Sequence, residues 1–160
     1  MVKATENDAH ALHDLQVKAF IPLLNKYKDF ETNPANEPIE KIISRINQNN
    51  SVFYKVVADN TLVGAIRVFW REDDHFWISP MFILPTHQGK GIAQKVIALV
   101  ESMFSQAITW ELATILEEKR NCYLYEKMGY KKTGVSKKLN EHATLIYYKK
   151  VCGFFCCRYS

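Results

Sequence analysis

Hydrophobic positions fall at helical steps in the first third of the chain and then switch to strand-like runs. Leu12, Leu15, Ala19 and Leu23 recur every three or four residues, which predicts a helix over Ala9–Leu24. The breaker cluster Asn33-Pro34-Ala35-Asn36-Glu37-Pro38 separates it from a second helix. That helix carries Ile39, Ile42, Ile43 and Ile46 on one face, and Asn49-Asn50 closes it. The next segment, Ser51–Ala58, is rich in Val, Phe and Tyr, as strands are. Asp59-Asn60 suits a tight turn, Leu62–Trp70 a second strand, Asp73-Asp74 another turn, and Phe76–Leu84 a third strand. Three strands joined by short turns predict an antiparallel meander.

Pro85 stops the third strand. Over Gly91–Ser105, Ile92, Val96, Leu99, Val100, Met103 and Phe104 form one helical stripe. Ile108–Ile115 reads as a strand and Asn121–Met128 as a short helix. Gly129 suits the left-handed position just after that helix. Tyr130–Val135 and Ala143–Val151 are the last strands, expected to pair. The order predicts a mixed α/β (α+β-like) fold with a largely antiparallel central sheet flanked by helices.

Composition narrows the class. A chain of 160 residues is about one domain, expected over 1–151, followed by an apolar Cys-rich tail over 152–160. Hydrophobic residues at 48% and charged residues at 24% argue against disorder and coiled coil. Twenty-one Lys+Arg against seventeen Asp+Glu give +4, with the signs mixed along the chain. That is too mild for a nucleic-acid stripe but compatible with a small anionic ligand. The start lacks a secretory pattern, and no run approaches the ~20 apolar residues of a membrane span. A cytoplasmic protein without a membrane partner is expected. Cys122, Cys152, Cys156 and Cys157 show no paired spacing, so free thiols and no metal are expected.

Two segments carry chemistry. The first is Ile83-Leu84-Pro85-Thr86-His87-Gln88-Gly89-Lys90-Gly91-Ile92-Ala93, between a strand and an amphipathic helix. A helix start exposes unpaired N–H groups and the positive end of the dipole. Gly89 and Gly91 leave those donors unobstructed, and Lys90 adds charge. Such a turn can bind phosphate, although an ordinary glycine turn before a surface helix has the same sequence. A P-loop would need Ser or Thr after Lys90, where Gly91 stands. The dinucleotide fingerprint would need a small residue at Gln94.

Gln88-Gly89-Lys90-Gly91-Ile92-Ala93, preceded by Ile83-Leu84-Pro85, resembles the signature Gln/Arg-x-x-Gly-x-Gly/Ala of the GNAT (Gcn5-related) N-acetyltransferase family. The second segment, Asn121-Cys122-Tyr123-Leu124-Tyr125-Glu126-Lys127-Met128-Gly129-Tyr130, is similar to that family's Leu-Tyr-Glu-Lys-x-Gly-Phe/Tyr helix. The two motifs stand in the right order, with room between them for one helix and one strand. The resemblance spans nearly the whole chain, with the N-terminal helices matching only in type.

The resemblance implies acetyl-CoA as co-substrate, without a metal, and transfer of its acetyl group to an amine of a small molecule or peptide. Backbone amides from Gln88, Gly89, Lys90, Gly91, Ile92 and Ala93 would hold the pyrophosphate. Met81, Phe82 and Ile83 would pair with the pantetheine arm, so the next strand must splay away. Pro80 fits that distortion, as proline in a sheet belongs at a bulge or an edge. A backbone N–H near Phe82 or Ile83 would stabilise the oxyanion. Tyr125 would protonate the departing thiolate. With a tyrosine pKa of roughly 10 against about 8.5 for a thiol, full transfer is uphill unless the site lowers the former.

Two positions depart from the family pattern. A glutamate base found in some relatives falls on Ala113, and Glu111, two residues earlier on the same strand face, is the nominated substitute. Glu72, His75, His87 and a water chain are the other options. An asparagine found seven residues before the tyrosine is here Glu118. Asn121, one helical turn before Tyr125, is expected to touch the cofactor or to cap the helix. Tyr27, Phe30, Phe69, Trp70 and Trp77 are aromatic candidates for the acceptor lining. The apolar tail would pack on the body or on a second copy, so a homodimer is an option. A catalytically silent CoA-binding module is the competing expectation.

Overall fold

The change of period near residue 50 marks a change of architecture. In the computed structural model, which describes residues 1–152, the helices α1 (Ala9–Tyr27) and α2 (Ile39–Asn47) follow a two-residue strand β1 (Val2–Lys3). The meander is β2 (Ser51–Ala58), β3 (Thr61–Glu72) and β4 (His75–Ile83). Then come α3 (Ile92–Met103), β5 (Thr109–Ile115), α4 (Lys119–Lys127), β6 (Lys131–Lys138) and β7 (Thr144–Val151). One seven-stranded sheet has the order β1-β2-β3-β4-β5-β7-β6. Every neighbouring pair is antiparallel except β4 with β5. No helix among the described residues is long and apolar enough to cross a membrane.

The amphipathic stripes explain the layers. Leu12, Leu15, Ala19 and Ile42 bury against Phe53, Ala65 and Phe82, forming one cluster under α1 and α2. Val96, Ile97, Val100, Cys122 and Tyr125 bury against Val68, Phe76 and Trp110, forming a second under α3 and α4. Glu101 fastens α3 to the sheet from within. It accepts hydrogen bonds from Tyr130 Oη at 2.9 Å and Lys150 Nζ at 2.8 Å.

Several boundaries differ from the sequence expectation. α1 runs three residues beyond Leu24 to Tyr27 and is capped by Lys28, which takes the left-handed conformation at φ 58°. α4 starts two residues before Asn121, with Glu118 rather than Asn121 at its cap. β6 extends to Lys138 instead of Val135. The two-residue strand β1 is too short for any period to reveal. Asp59 and Asn60 both have positive φ, as a primed hairpin turn requires. The expected Cys-rich tail lies outside the described residues except for Cys152, which is buried.

Candidate active site

β4 and β5 pair only at His75–Thr109, Phe76–Trp110 and Trp77–Glu111, and then part. The cause lies in β4. Its register with β3 runs from Val68–Ile78 to Ile66–Met81, so Ser79 and Pro80 together oppose Arg67. Two residues against one make a bulge, which bends the strand. Arg67 holds it there, donating from Nη1 to the Ser79 carbonyl at 3.0 Å. Pro80 thus occupies the kind of position its missing N–H demands.

The bend leaves one edge of β4 without a strand partner. Leu84 N donates to Val63 O at 2.8 Å, so by antiparallel alternation Phe82 also directs its backbone toward β3. Consistently, a Cβ on Gly64 would collide with the Phe82 carbonyl oxygen. Met81 and Ile83 therefore turn their backbone groups away from β3, into the gap. Gln88 Nε2 donates to the Ile83 carbonyl at 2.9 Å and braces the turn that follows.

That turn ends at the start of α3. Gly89 and Gly91 have φ of 77° and 78°, where other residues would be strained. Gly91 is the cap residue, makes no side-chain cap bond, and no acidic residue lies in the first turn. The N–H groups of that turn are left open. A Cβ on Gly91 would meet nothing within 4 Å, while one on Gly89 would lie 2.8 Å from Arg120 Nη2.

Two cavities meet in the gap. The first, about 400 Å³, lies against the glycine turn and the α4 face. His87, Arg120 and Lys127 line it, and none of its described lining side chains is acidic. The second, about 300 Å³, lies between the α1–α2 loop, the parted strands and the β6–β7 hairpin. Phe20, Leu23, Met81, Asn121 and Tyr125 line both.

Tyr125 is only 8% exposed. Burial, reinforced by the nearby Cys122, pushes its pKa up to about 12. Its ring packs against Tyr130 and Tyr148, with centroids 6.2 and 6.1 Å away. The site therefore raises the tyrosine pKa instead of lowering it, and keeps the phenol protonated.

Most of the expected site residues come together. Met81, Phe82, Ile83, Gln88, Gly89, Gly91, Ile92, Ala93, Asn121 and Tyr125 all line the first cavity. Lys90 is exposed on the same turn. Asn121 lies inside α4, so it is not the helix cap. Glu111 is not brought to Tyr125. It lines a separate groove with Trp77, Lys131 and Lys149, beyond the paired end of β4 and β5.

The other base candidates divide in the same way. Glu72 and His75 lie 3.5 Å apart at the β3–β4 turn, while His87 lines the first cavity. None of the five aromatic acceptor candidates lines the second cavity. Tyr27 is buried and donates to Glu118 Oε1 at 2.6 Å. Phe30 is exposed, Phe69 stacks on Trp77, and Trp70 packs on Phe76.

Sequence reasoning passed over Arg120. Its signal was the Lys119-Arg120 pair at a helix start, where cations oppose the dipole.

Residues 9–130 match the model of the Acetyltransferase (GNAT) family. The chain therefore belongs to that family. Among solved structures it is similar to spermidine N-acetyltransferase from Vibrio cholerae, solved with CoA and spermine. The identity is 16%, the TM-score 0.73, and 93% of this chain and 92% of that one are covered. It is also similar to PaiA N-acetyltransferase from Thermoplasma acidophilum in complex with coenzyme A, at 15% identity and TM-score 0.73. That alignment covers 94% of this chain and 96% of the other. At these identities the likeness concerns the fold. None of the curated proteins matches the chain.

Proposed function

We propose that the protein is an acetyl-CoA-dependent N-acetyltransferase that acetylates a primary amine. The observation that carries this reading is the junction at Tyr125 of a basic, glycine-lined cavity with a second, mainly apolar one. The neighbours crystallised with CoA, one of them also with an amine, support the same pairing of ligands.

The residues fit the cofactor. The open N–H groups of α3 and the two left-handed glycines would hold its pyrophosphate. The unpaired edge at Met81 and Ile83 would take the pantetheine arm as an added strand. Arg120 and Lys90, both exposed, would add positive charge for its phosphates. Acetyl-CoA supplies a thioester carbonyl that the amine attacks, forming the C–N bond, breaking the C–S bond and moving one proton from nitrogen to sulfur.

The chain's own groups then have defined tasks. The N–H of Ile83 or Met81, turned into the gap, donates to the carbonyl oxygen as negative charge grows there. Tyr125 donates a hydrogen bond to the departing sulfur. With its pKa at about 12, the phenol holds its proton against a thiolate, so the proton that neutralises sulfur originates on the amine. The amine must be neutral to attack, and the desolvating apolar wall of the second cavity favours that form over the ammonium.

The test is calorimetric titration with acetyl-CoA, with ATP and NAD as controls, on wild type and Gly91→Glu. Binding by wild type and its loss in a folded Gly91→Glu variant are expected. A folded wild type that does not bind acetyl-CoA removes both the enzyme and the silent CoA-binding module.

A further inference from the structure

The second cavity is chemically unlike the first, and its lining bears on the acceptor. Its walls are Phe20 and Leu23 from α1, Met81 from β4, Leu112 from β5, and Leu145 and Tyr147 from β7. Its charged lining residues are Asp29 and Lys137. Asp29 is 8% exposed and already accepts from both Thr32 N and Thr32 Oγ1. Lys137, on β6, adds a positive charge to the same lining.

A polyamine that presents one neutral nitrogen for reaction still carries further ammonium groups. Each needs a carboxylate or water, because a desolvated, unpaired charge is costly. A single carboxylate, with Lys137 charged in the same lining, cannot pair the two or more ammonium groups that spermidine or spermine would still carry. An uncharged apolar body gains from burial against the same walls.

The cavity also has fastened walls. Asn140, at the tip of the β6–β7 hairpin, donates from Nδ2 to the Tyr27 carbonyl at 2.6 Å. Tyr27 in turn donates to Glu118 at the start of α4 at 2.6 Å. The α1–α2 loop is pinned as well, with Gln16 Nε2 donating to the Pro34 carbonyl at 2.9 Å and Asn33 Oδ1 accepting from Ala35 N at 2.8 Å. These ties hold the walls around a volume of about 300 Å³, which takes a compact molecule but not several residues of an extended chain.

We propose that the acceptor is a primary amine on a compact, uncharged, apolar body, and neither a polyamine nor the end of a polypeptide. This rests on the acetyl-transfer reading above. The test is thiol release from saturating acetyl-CoA with three sets of amines. The first is 2-phenylethylamine, tyramine and cyclohexylmethylamine, the second spermidine and spermine, and the third a tetrapeptide with N-terminal Phe.

The expected result is a kcat/KM for the first set at least about 30-fold above the others. Lys137→Glu, on the exposed strand β6, should narrow the gap to spermidine several-fold. Preference for spermidine, or for the peptide, overturns the inference and leaves acetyl transfer standing. Acetyl-CoA binding by calorimetry with no turnover of any set also overturns it. Absence of acetyl-CoA binding overturns the acetyl-transfer reading itself.

Discussion

The two cavities that meet at Tyr125 are built by opposite strategies. The first comes from two short stretches of chain, 81–94 and 120–127, joined by part of α1. It works largely through backbone: a strand edge, two glycines and a helix start. The second draws on five separate regions, from Phe20 to Tyr147, whose side chains set its character. Backbone donors recognise what every ligand of a class shares, a phosphate or an amide arm. Side chains set volume and charge, which distinguish one amine from another. A site divided this way can keep its chemistry while its acceptor changes.

Tyr125 belongs to both halves, and removing its hydroxyl is the strongest test of the division. Tyr125→Phe should lower kcat about 10²–10³-fold, the range of a lost hydrogen-bond donor to charge developing in the transition state. Acetyl-CoA affinity by calorimetry should stay within about twofold, since the proposed phosphate contacts lie on the glycine turn. Unchanged thiol release in the variant would remove the tyrosine from the chemistry. The high pKa adds a second readout. Wild-type activity should show no alkaline fall from this group below about pH 11, and the phenolate absorbance of Tyr125 should appear only near pH 12. Because the folded pKa is raised, the neutral phenol stabilises the fold fully below pH ~10, and this is lost as pH rises through about 12.

Next in size is the foundation of the first cavity. Glu101 is a buried carboxylate held by Tyr130 and Lys150. Glu101→Ala leaves two donors without their acceptor and should cost about 3 kcal/mol by urea unfolding. Acetyl-CoA should recover part of that loss when added, because it binds only the folded state. A variant as stable as wild type would mean that water satisfies both donors.

The same contrast explains what could be read from residues alone. The glycine turn is contiguous, so local rules expose it, while the contiguous tyrosine helix and the Met81–Ile83 edge are legible through the family resemblance. The splay of β4 and β5 was foreshadowed by Pro80. Glu111 was misjudged because sharing a strand face with Ala113 does not mean sharing a cavity. The face continues past the point where the strands part, and Glu111 lies on the paired side. The aromatic candidates failed for a related reason. A large ring is as ready to fill a core or to stack on a neighbouring ring as to line a pocket. The second-cavity walls from Leu112, Leu145 and Tyr147 have no local signature, since they are ordinary strand residues until the strands separate.

Arg120 offers a milder way to sharpen the comparison. Its guanidinium stands beside Gly89 at the mouth of the basic cavity. Arg120→Gln should weaken acetyl-CoA about tenfold, as for a lost hydrogen bond to a charged group. The weakening should shrink at high salt. The KM for amine should not follow. A parallel rise in both constants would mean that the two cavities do not act separately.

The smallest expected effect concerns Glu118, which stands where many relatives carry a cofactor-contacting asparagine. Here it accepts from Lys26 Nζ at 2.8 Å and from Tyr27 Oη at 2.6 Å, tying α4 to the end of α1. Partial burial would raise its pKa, but these two hydrogen bonds outweigh that and hold it below the ordinary value of 4.5. A lowered folded-state pKa stabilises the protein above the unfolded value, and that contribution disappears as pH falls through the folded one. Glu118→Gln keeps the shape and removes the charge. Its urea midpoint should therefore lie slightly below wild type at pH 7, and the two should converge below pH 4.5. Acetyl-CoA affinity should not change, since Glu118 is spent on α1 and lines neither cavity. If the variant instead loses acetyl-CoA while keeping its midpoint, the side chain has taken over the asparagine's task, and the wall between the two halves is thinner than their linings suggest.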